Sequence, residues 1–216
     1  MFERGLRLTE DLLRASGPVL TGLRGSDLGA RRKRSQSDLV TAADVASELV
    51  MLGLLERRVP EDGILSEECG VLPGSSGDVW VIDPLDGTTN YASGLDEFGV
   101  IVGLTRNGAP IVGGMFFPAK GDIYLASRGG GAFRNGTRVA VSSVDRVANA
   151  IFDHSLADLD EIPEEQQRTP QQLIRSARGV RCIHSLTYIA RVAEGTRRVR
   201  LPLSRALGHL RPVREP

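Results

Sequence analysis

Hydrophobic spacing changes period near residue 79, and that change decides the fold class. Before it, apolar residues recur at helical intervals. Phe2, Leu6, Leu12, Leu13, Val19, Leu20 and Leu23 follow a 3.6-residue rhythm, interrupted at Gly17-Pro18, where a kink or a break is expected. A second helix is predicted from Thr41, whose hydroxyl can cap the first turn, with Asp44 three residues on in the capping-box place. Its apolar stripe reads Val45, Leu49, Leu52, Leu55 and Val59, and Pro60 ends it. After residue 79 the apolar runs are short: 79–82, 98–104, 111–117 and 123–126, separated by Asn107-Gly108, Pro118 and Gly121. Runs of that length between turn formers predict an antiparallel meander, and a further tight turn follows at Asn135-Gly136. Helices followed by strands make an α+β pattern.

Past residue 147 the periodicity fades, although Leu186, Ile189, Ala190 and Ala193 can line one helical face that ends at Gly195. The chain therefore divides into 1–147, an N-terminal α+β domain, 148–195, a partial α/β domain, and 196–216, a basic tail. The 27 Lys and Arg balance 27 Asp and Glu, so there is no general attraction to nucleic acid, and none is expected as a partner. The balance is a sum of unlike parts: six Arg and one Glu lie beyond residue 195, leaving 21 bases and 26 acids before it. No window of eighteen apolar residues is present, so no membrane span is expected. The start, Met1-Phe2-Glu3-Arg4, lacks a basic stretch followed by an apolar run, so no secretory leader is expected. Cys69 and Cys182, far apart and without metal-ligand spacing, are expected as buried reduced thiols, which with the other features predicts a cytoplasmic protein.

The chemistry concentrates where the first strand ends, in Asp83-Pro84-Leu85-Asp86-Gly87-Thr88-Thr89-Asn90-Tyr91. An apolar run delivers Asp83, Pro84 fixes the backbone, and Gly87 permits a conformation closed to other residues. Thr88 can cap a short following helix. Two carboxylates, a carbonyl between them and free N–H groups at a helix start suit a hard cation that holds a phosphate. Upstream, Ser66-Glu67-Glu68 adds two acids in a loop. Clustered carboxylates repel and raise one another's pKa unless a cation compensates them.

The segment from Asp83 to Asn90 resembles the signature of the inositol monophosphatase family, Mg²⁺-dependent and lithium-sensitive sugar-phosphate phosphatases. Asp38-Leu39-Val40-Thr41-Ala42-Ala43-Asp44, Ser66-Glu67-Glu68 and Gly131-Ala132-Phe133-Arg134-Asn135-Gly136 match further motifs, in the family's order. The resemblance implies a layered α/β sandwich with a complete N-terminal domain, an antiparallel sheet and two helices, and an incomplete C-terminal α/β domain. It implies that Glu67, Asp83 and the carbonyl of Leu85 bind a first Mg²⁺, and Asp83 with Asp86 a second. By the same resemblance Thr88, oriented with help from Asp44, would position or deprotonate the attacking water, and Lys33 falls where the family has a lysine near that water. The resemblance further implies that Asp86 and the N–H groups of Gly87 and Thr88 contact the substrate, a small phosphorylated polyol such as inositol monophosphate. Family members commonly dimerise, so the resemblance allows a homodimer.

The family continues with a Trp-Asp element on a later helix, and nothing here matches it: Trp80 is the only tryptophan and precedes Asp83. The resemblance stops near residue 195, which predicts a chain truncated or frameshifted there. Two alternatives follow: a catalytically impaired remnant that binds a partner, or a histidinol-phosphate phosphatase. His184 stands where the family pattern predicts glycine and is a weak metal-ligand candidate; His154 and His209 are weaker.

Overall fold

The computed structural model describes residues 2–26, 31–32, 39–153, 172, 175–181, 185–196 and 198–200. They fall into two units, Met1–Ala140 with Ser185–Thr187, and Val141–His184 with Tyr188–Pro216. The first holds α1 (Phe2–Leu23), β1 (Arg31–Arg32), β2 (Leu39–Val40), α2 (Ala42–Arg58), β3 (Gly63–Ser66), β4 (Gly70–Leu72) and β5 (Asp78–Asp86). A short helix α3 (Thr88–Ala92) follows, then β6 (Gly99–Arg106), β7 (Ala109–Phe117), β8 (Asp122–Ser127), β9 (Gly131–Arg134) and β10 (Thr137–Val139).

Eight of these strands form one sheet in the order β10-β9-β8-β7-β6-β5-β3-β4. From β5 to β10 it is the expected meander. The sheet is mixed, however, because β3 runs parallel to β5 while pairing antiparallel with β4. The expected antiparallel pairing holds through the meander and between β3 and β4, and the parallel β3–β5 pair is an addition to it. β3 and β4 are short and glycine-led, so the spacing of apolar residues carries no strand signal there.

Alternation along the strands puts Trp80, Ile82, Val100, Val102, Leu104, Val112 and Ile123 on one buried face. Leu8, Leu12, Leu13 and Leu20 of α1, with Met51 and Leu55 of α2, complete that core. α1 passes unbroken through Gly17-Pro18. Glycine is needed at 17 because a Cβ there would lie 2.2 Å from the Phe116 ring of β7. The helix survives Pro18 because leucines on both sides of it are fully buried, and that packing outweighs one lost backbone bond.

Among the described residues, the second unit holds a 3₁₀ turn (Val147–Asn149), three short strands and α4 (Thr187–Ala193) apart from its first residue. β11 (Ile151–Asp153) lies between β12 (Gly179–Arg181) and β13 (Arg198–Arg200), parallel to both. No described helix is long and apolar enough to cross a membrane.

Candidate active site

The chain gathers its acids by a defect in β5. Asp83 pairs with Ile101 of β6, but the next registered pair is Asp86 with Gly99, so β5 spends three steps where β6 spends two. That extra residue is a β-bulge, and it falls around Pro84, which has no N–H to give the ladder. In an unbroken strand, residues three apart point to opposite faces; one inserted residue returns them to the same side. Asp83 and Asp86 consequently feel each other's charge, and Glu67, at the turn after β3, also hydrogen-bonds Asp83. Burial, then the charge of Asp86, then that of Glu67 hold Asp83 well above the ordinary carboxylate range, while the Leu85 N–H, 3.2 Å from Asp83 Oδ1, pulls it down. The strand does not stop at Asp83, as its sequence suggests, but runs on through the bulge to Asp86.

Gly87 then turns the chain. Its φ of 81° is left-handed, and a Cβ would lie 2.7 Å from the carbonyl oxygen of Glu97. Gly87 caps α3, and Thr88 begins it. Thr88 is thus not the cap that sequence suggests, and its hydroxyl is released for another contact. It lies 3.1 Å from Asp44 Oδ1 and 2.9 Å from the Leu85 carbonyl. The other Asp44 oxygen accepts the Thr41 amide at 2.7 Å and the Thr41 hydroxyl at 2.6 Å, completing the predicted capping box. Burial raises the Asp44 pKa, and the bonds from Thr41 and Thr88 partly offset it. Tyr91 anchors α3 by donating its hydroxyl to the Leu20 carbonyl at 2.6 Å and packing edge-on against Phe98.

α2 buries the second half of the predicted stripe, with Leu55 in the core and Leu52 and Val59 packed against it, but not the first half. Val45 and Leu49 are 43% and 61% exposed. The buried face carries Ala43, Asp44, Ser47, Glu48, Met51 and Leu55. Apolar periodicity misplaces the N-terminal half of this helix because three polar residues occupy its inner side there. Ser47 and Glu48 are absent from the sequence-derived candidates. The signal that could have found them is their spacing of three and four from Asp44, which puts all three on one helical face.

Lys33, His154, His184, His209 and Cys182 lie outside the described residues. Cys69 is a free, exposed thiol rather than a buried one, because its turn faces outward after β3. Asp86 reaches beyond the cluster: one of its oxygens accepts the amide N–H of Leu186. Among the described residues, no three His, Cys, Asp or Glu side chains close into a ready cage for a cation. The donor chemistry still fits a hard cation. Two carboxylates in hydrogen-bond contact and a third within electrostatic reach carry a charge that only a proton or a cation relieves. Mg²⁺ keeps several waters, so it does not need a closed protein cage.

The inositol monophosphatase family model matches residues 3–205, nearly the whole chain. The chain belongs to the inositol monophosphatase family. The match runs past residue 195, into the segment that sequence alone places outside the resemblance. Within the family, a histidinol-phosphatase of Chlorobaculum parvum is 35% identical over 148 residues, 66% of this chain and 57% of that protein. A Nus factor SuhB of Pasteurella multocida is 37% identical over 120 residues, 55% of this chain and 45% of that protein. A solved structure of inositol monophosphatase from Anabaena is 32% identical, with a TM-score of 0.77 covering 94% of this chain and 77% of that one. The α+β fold of this chain is the fold of that structure. The chain spans about half the length of the relatives it matches by sequence.

Proposed function

We propose that this chain is a Mg²⁺-dependent phosphatase that hydrolyses the phosphate monoester of a small polyol, inositol monophosphate or a similar compound. The observation that carries the reading is the meeting of Glu67, Asp83 and Asp86 with the Thr88–Asp44 pair at one end of β5. Glu67, Asp83 and the Leu85 carbonyl would hold one Mg²⁺, and Asp83 with Asp86 a second. Ions there would neutralise the phosphate oxygens and lower the pKa of an attacking water.

The remaining work falls to the chain. The Thr88 hydroxyl has one proton and two acceptors in reach. With the Leu85 carbonyl committed to a cation, that proton goes to Asp44, and a Thr88 lone pair faces the water. Buried Asp44 holds a proton more readily than a free aspartate, so Thr88 and Asp44 together can take one from the water. The amides of Gly87 and Thr88 would meet the phosphate, and Asp86 the polyol. Lys33 remains a candidate on sequence grounds alone.

Purified chain offered inositol 1-phosphate and histidinol phosphate separately, with Mg²⁺ and with added lithium, tests the substrate. Lithium-sensitive release of phosphate from the inositol ester supports the reading. Turnover of histidinol phosphate alone moves the assignment to the alternative substrate. A second reading, a family member that binds a partner without turnover, is favoured by the Asp86 carboxylate already engaged by Leu186. Release from neither ester, in a chain that folds, would support it.

A further inference from the structure

A helix rarely buries three polar side chains on one face, because each must recover in the protein the hydrogen bonds it loses in water. Asp44, Ser47 and Glu48 of α2 are 2%, 0% and 4% exposed. Each recovers its bonds from a different part of the site. Asp44 meets Thr88. Ser47 donates to the Pro84 carbonyl at 2.8 Å, inside the bulge between Asp83 and Leu85. Glu48 Oε1 accepts three donors: the Ser66 hydroxyl, the Glu68 N–H at 3.2 Å and the Cys69 N–H at 3.0 Å. These three donors bracket Glu67, whose own N–H goes to the Ile82 carbonyl at 3.2 Å.

We propose that Glu48 is a positioning residue that fixes the 66–69 turn so that Glu67 stands against Asp83. The proposal rests on the metal reading above and deepens it. The strand pairs of Ser66 with Gly70 and with Ile82 hold the ends of the turn, and the Glu67 N–H ties its first residue to β5. Ladder contacts at its base do not by themselves fix the direction of the Glu67 side chain. Three bonds converging on one Glu48 carboxylate oxygen, from Ser66, Glu68 and Cys69, narrow that freedom from both sides of Glu67. Ser47, one residue away on the same rigid helix, holds the segment that carries Asp83 and Leu85. Two ligand-bearing segments from different strands are thereby referred to adjacent residues of α2, and residues around a metal's ligands set its affinity in this way. Glu48 touches neither substrate nor cation in this account; it acts through Glu67.

Two measurements on the full chain test the proposal. Hydrogen exchange of the 66–70 segment in Mg²⁺-free buffer reads the turn, and titration calorimetry with Mg²⁺ alone reads the site. Glu48→Met, which fills similar volume without an acceptor, should speed exchange there and weaken Mg²⁺ binding about 10- to 100-fold. Glu48→Gln, which keeps a carbonyl oxygen, should restore most of both. Ser66→Ala should shift both in the same direction and less far. Met51→Ala, a destabilising change in the same helix, should leave Mg²⁺ affinity unaltered. Unchanged exchange and affinity in both Glu48→Met and Ser66→Ala would overturn the proposal, as would an equal loss of affinity in Met51→Ala. If the unaltered chain takes up no Mg²⁺, the metal reading fails, and the exchange data alone judge the hold of Glu48 on the turn.

Discussion

The Thr88 hydroxyl stands 3.1 Å from Asp44 Oδ1, joining the first turn of α3 to the first turn of α2 across 44 residues of sequence. In the proposed mechanism the hydroxyl serves the attacking water only if Asp44 takes its proton. Thr88→Val keeps the shape and removes the hydroxyl, and should lower kcat by roughly 10²- to 10⁴-fold, the usual loss of general-base assistance. Mg²⁺ affinity should change little, and Thr88→Ser should recover most of the rate. Steady-state phosphate release at saturating Mg²⁺ separates these outcomes.

The carboxylate cluster predicts how stability depends on pH. Asp83 has a raised pKa in the folded chain, starting from an ordinary value of 3.8, so the folded state binds its proton more tightly than the unfolded state does. Stability from this group is therefore greatest at low pH and is lost as pH rises from about 4 through the raised folded value. Asp44 acts in the same direction. Asp78, lowered by its bidentate pair with Arg106, acts oppositely, and its contribution is lost only as pH falls below the ordinary carboxylate value. Melting of the Mg²⁺-free chain at pH 5 and pH 7.5 thus isolates the first effect. The Tm should be lower at pH 7.5 than that of Asp83→Asn, and Mg²⁺ should raise the wild-type Tm more at pH 7.5 than at pH 5.

Gly87 is constrained twice, by its φ of 81° and by the Glu97 carbonyl 2.7 Å from where a Cβ would sit. Gly87→Ala should cost about 1–2 kcal/mol from the left-handed backbone alone, with more from the clash. For a chain of this size that is a Tm loss of roughly 2–8 °C. Scanning calorimetry checks it.

The inward face of α2 makes a prediction opposite to the one its apolar residues suggest. Leu49→Lys, on the exposed side, should change stability by no more than about 0.5 kcal/mol. Met51→Ala, with a fully buried side chain, should cost about 2–5 kcal/mol. Denaturant unfolding of the two variants decides between the faces.

Much of the candidate site's local geometry is legible along the chain because its parts are local. The run into Asp83, the glycine at 87 and the capping box at Thr41 each follow from neighbours in sequence. The meander is legible for the same reason: apolar runs and turn formers alternate from residue 98 onward. What sequence hides is contact across distance. The bond from the Leu186 amide to Asp86 joins residues 100 apart and leaves no local trace. Ser47 and Glu48 read as surface residues until the partners at Pro84 and the 66–69 turn are known. Periodicity fails on the N-terminal half of α2 for that reason, since buried polar side chains there displace buried carbon. Gly17-Pro18 misleads in a different way, because the local rule for proline is right and tertiary packing overrules it.

Phosphate release from inositol 1-phosphate by the wild-type chain and by Asp83→Asn, with and without Mg²⁺, is the most direct test of the carboxylate cluster as a metal-dependent hydrolytic site. Wild type should release phosphate only when Mg²⁺ is present, and Asp83→Asn should show none above background while keeping a native circular dichroism spectrum. Near-normal release by Asp83→Asn, or release by wild type that ignores Mg²⁺, would contradict the account.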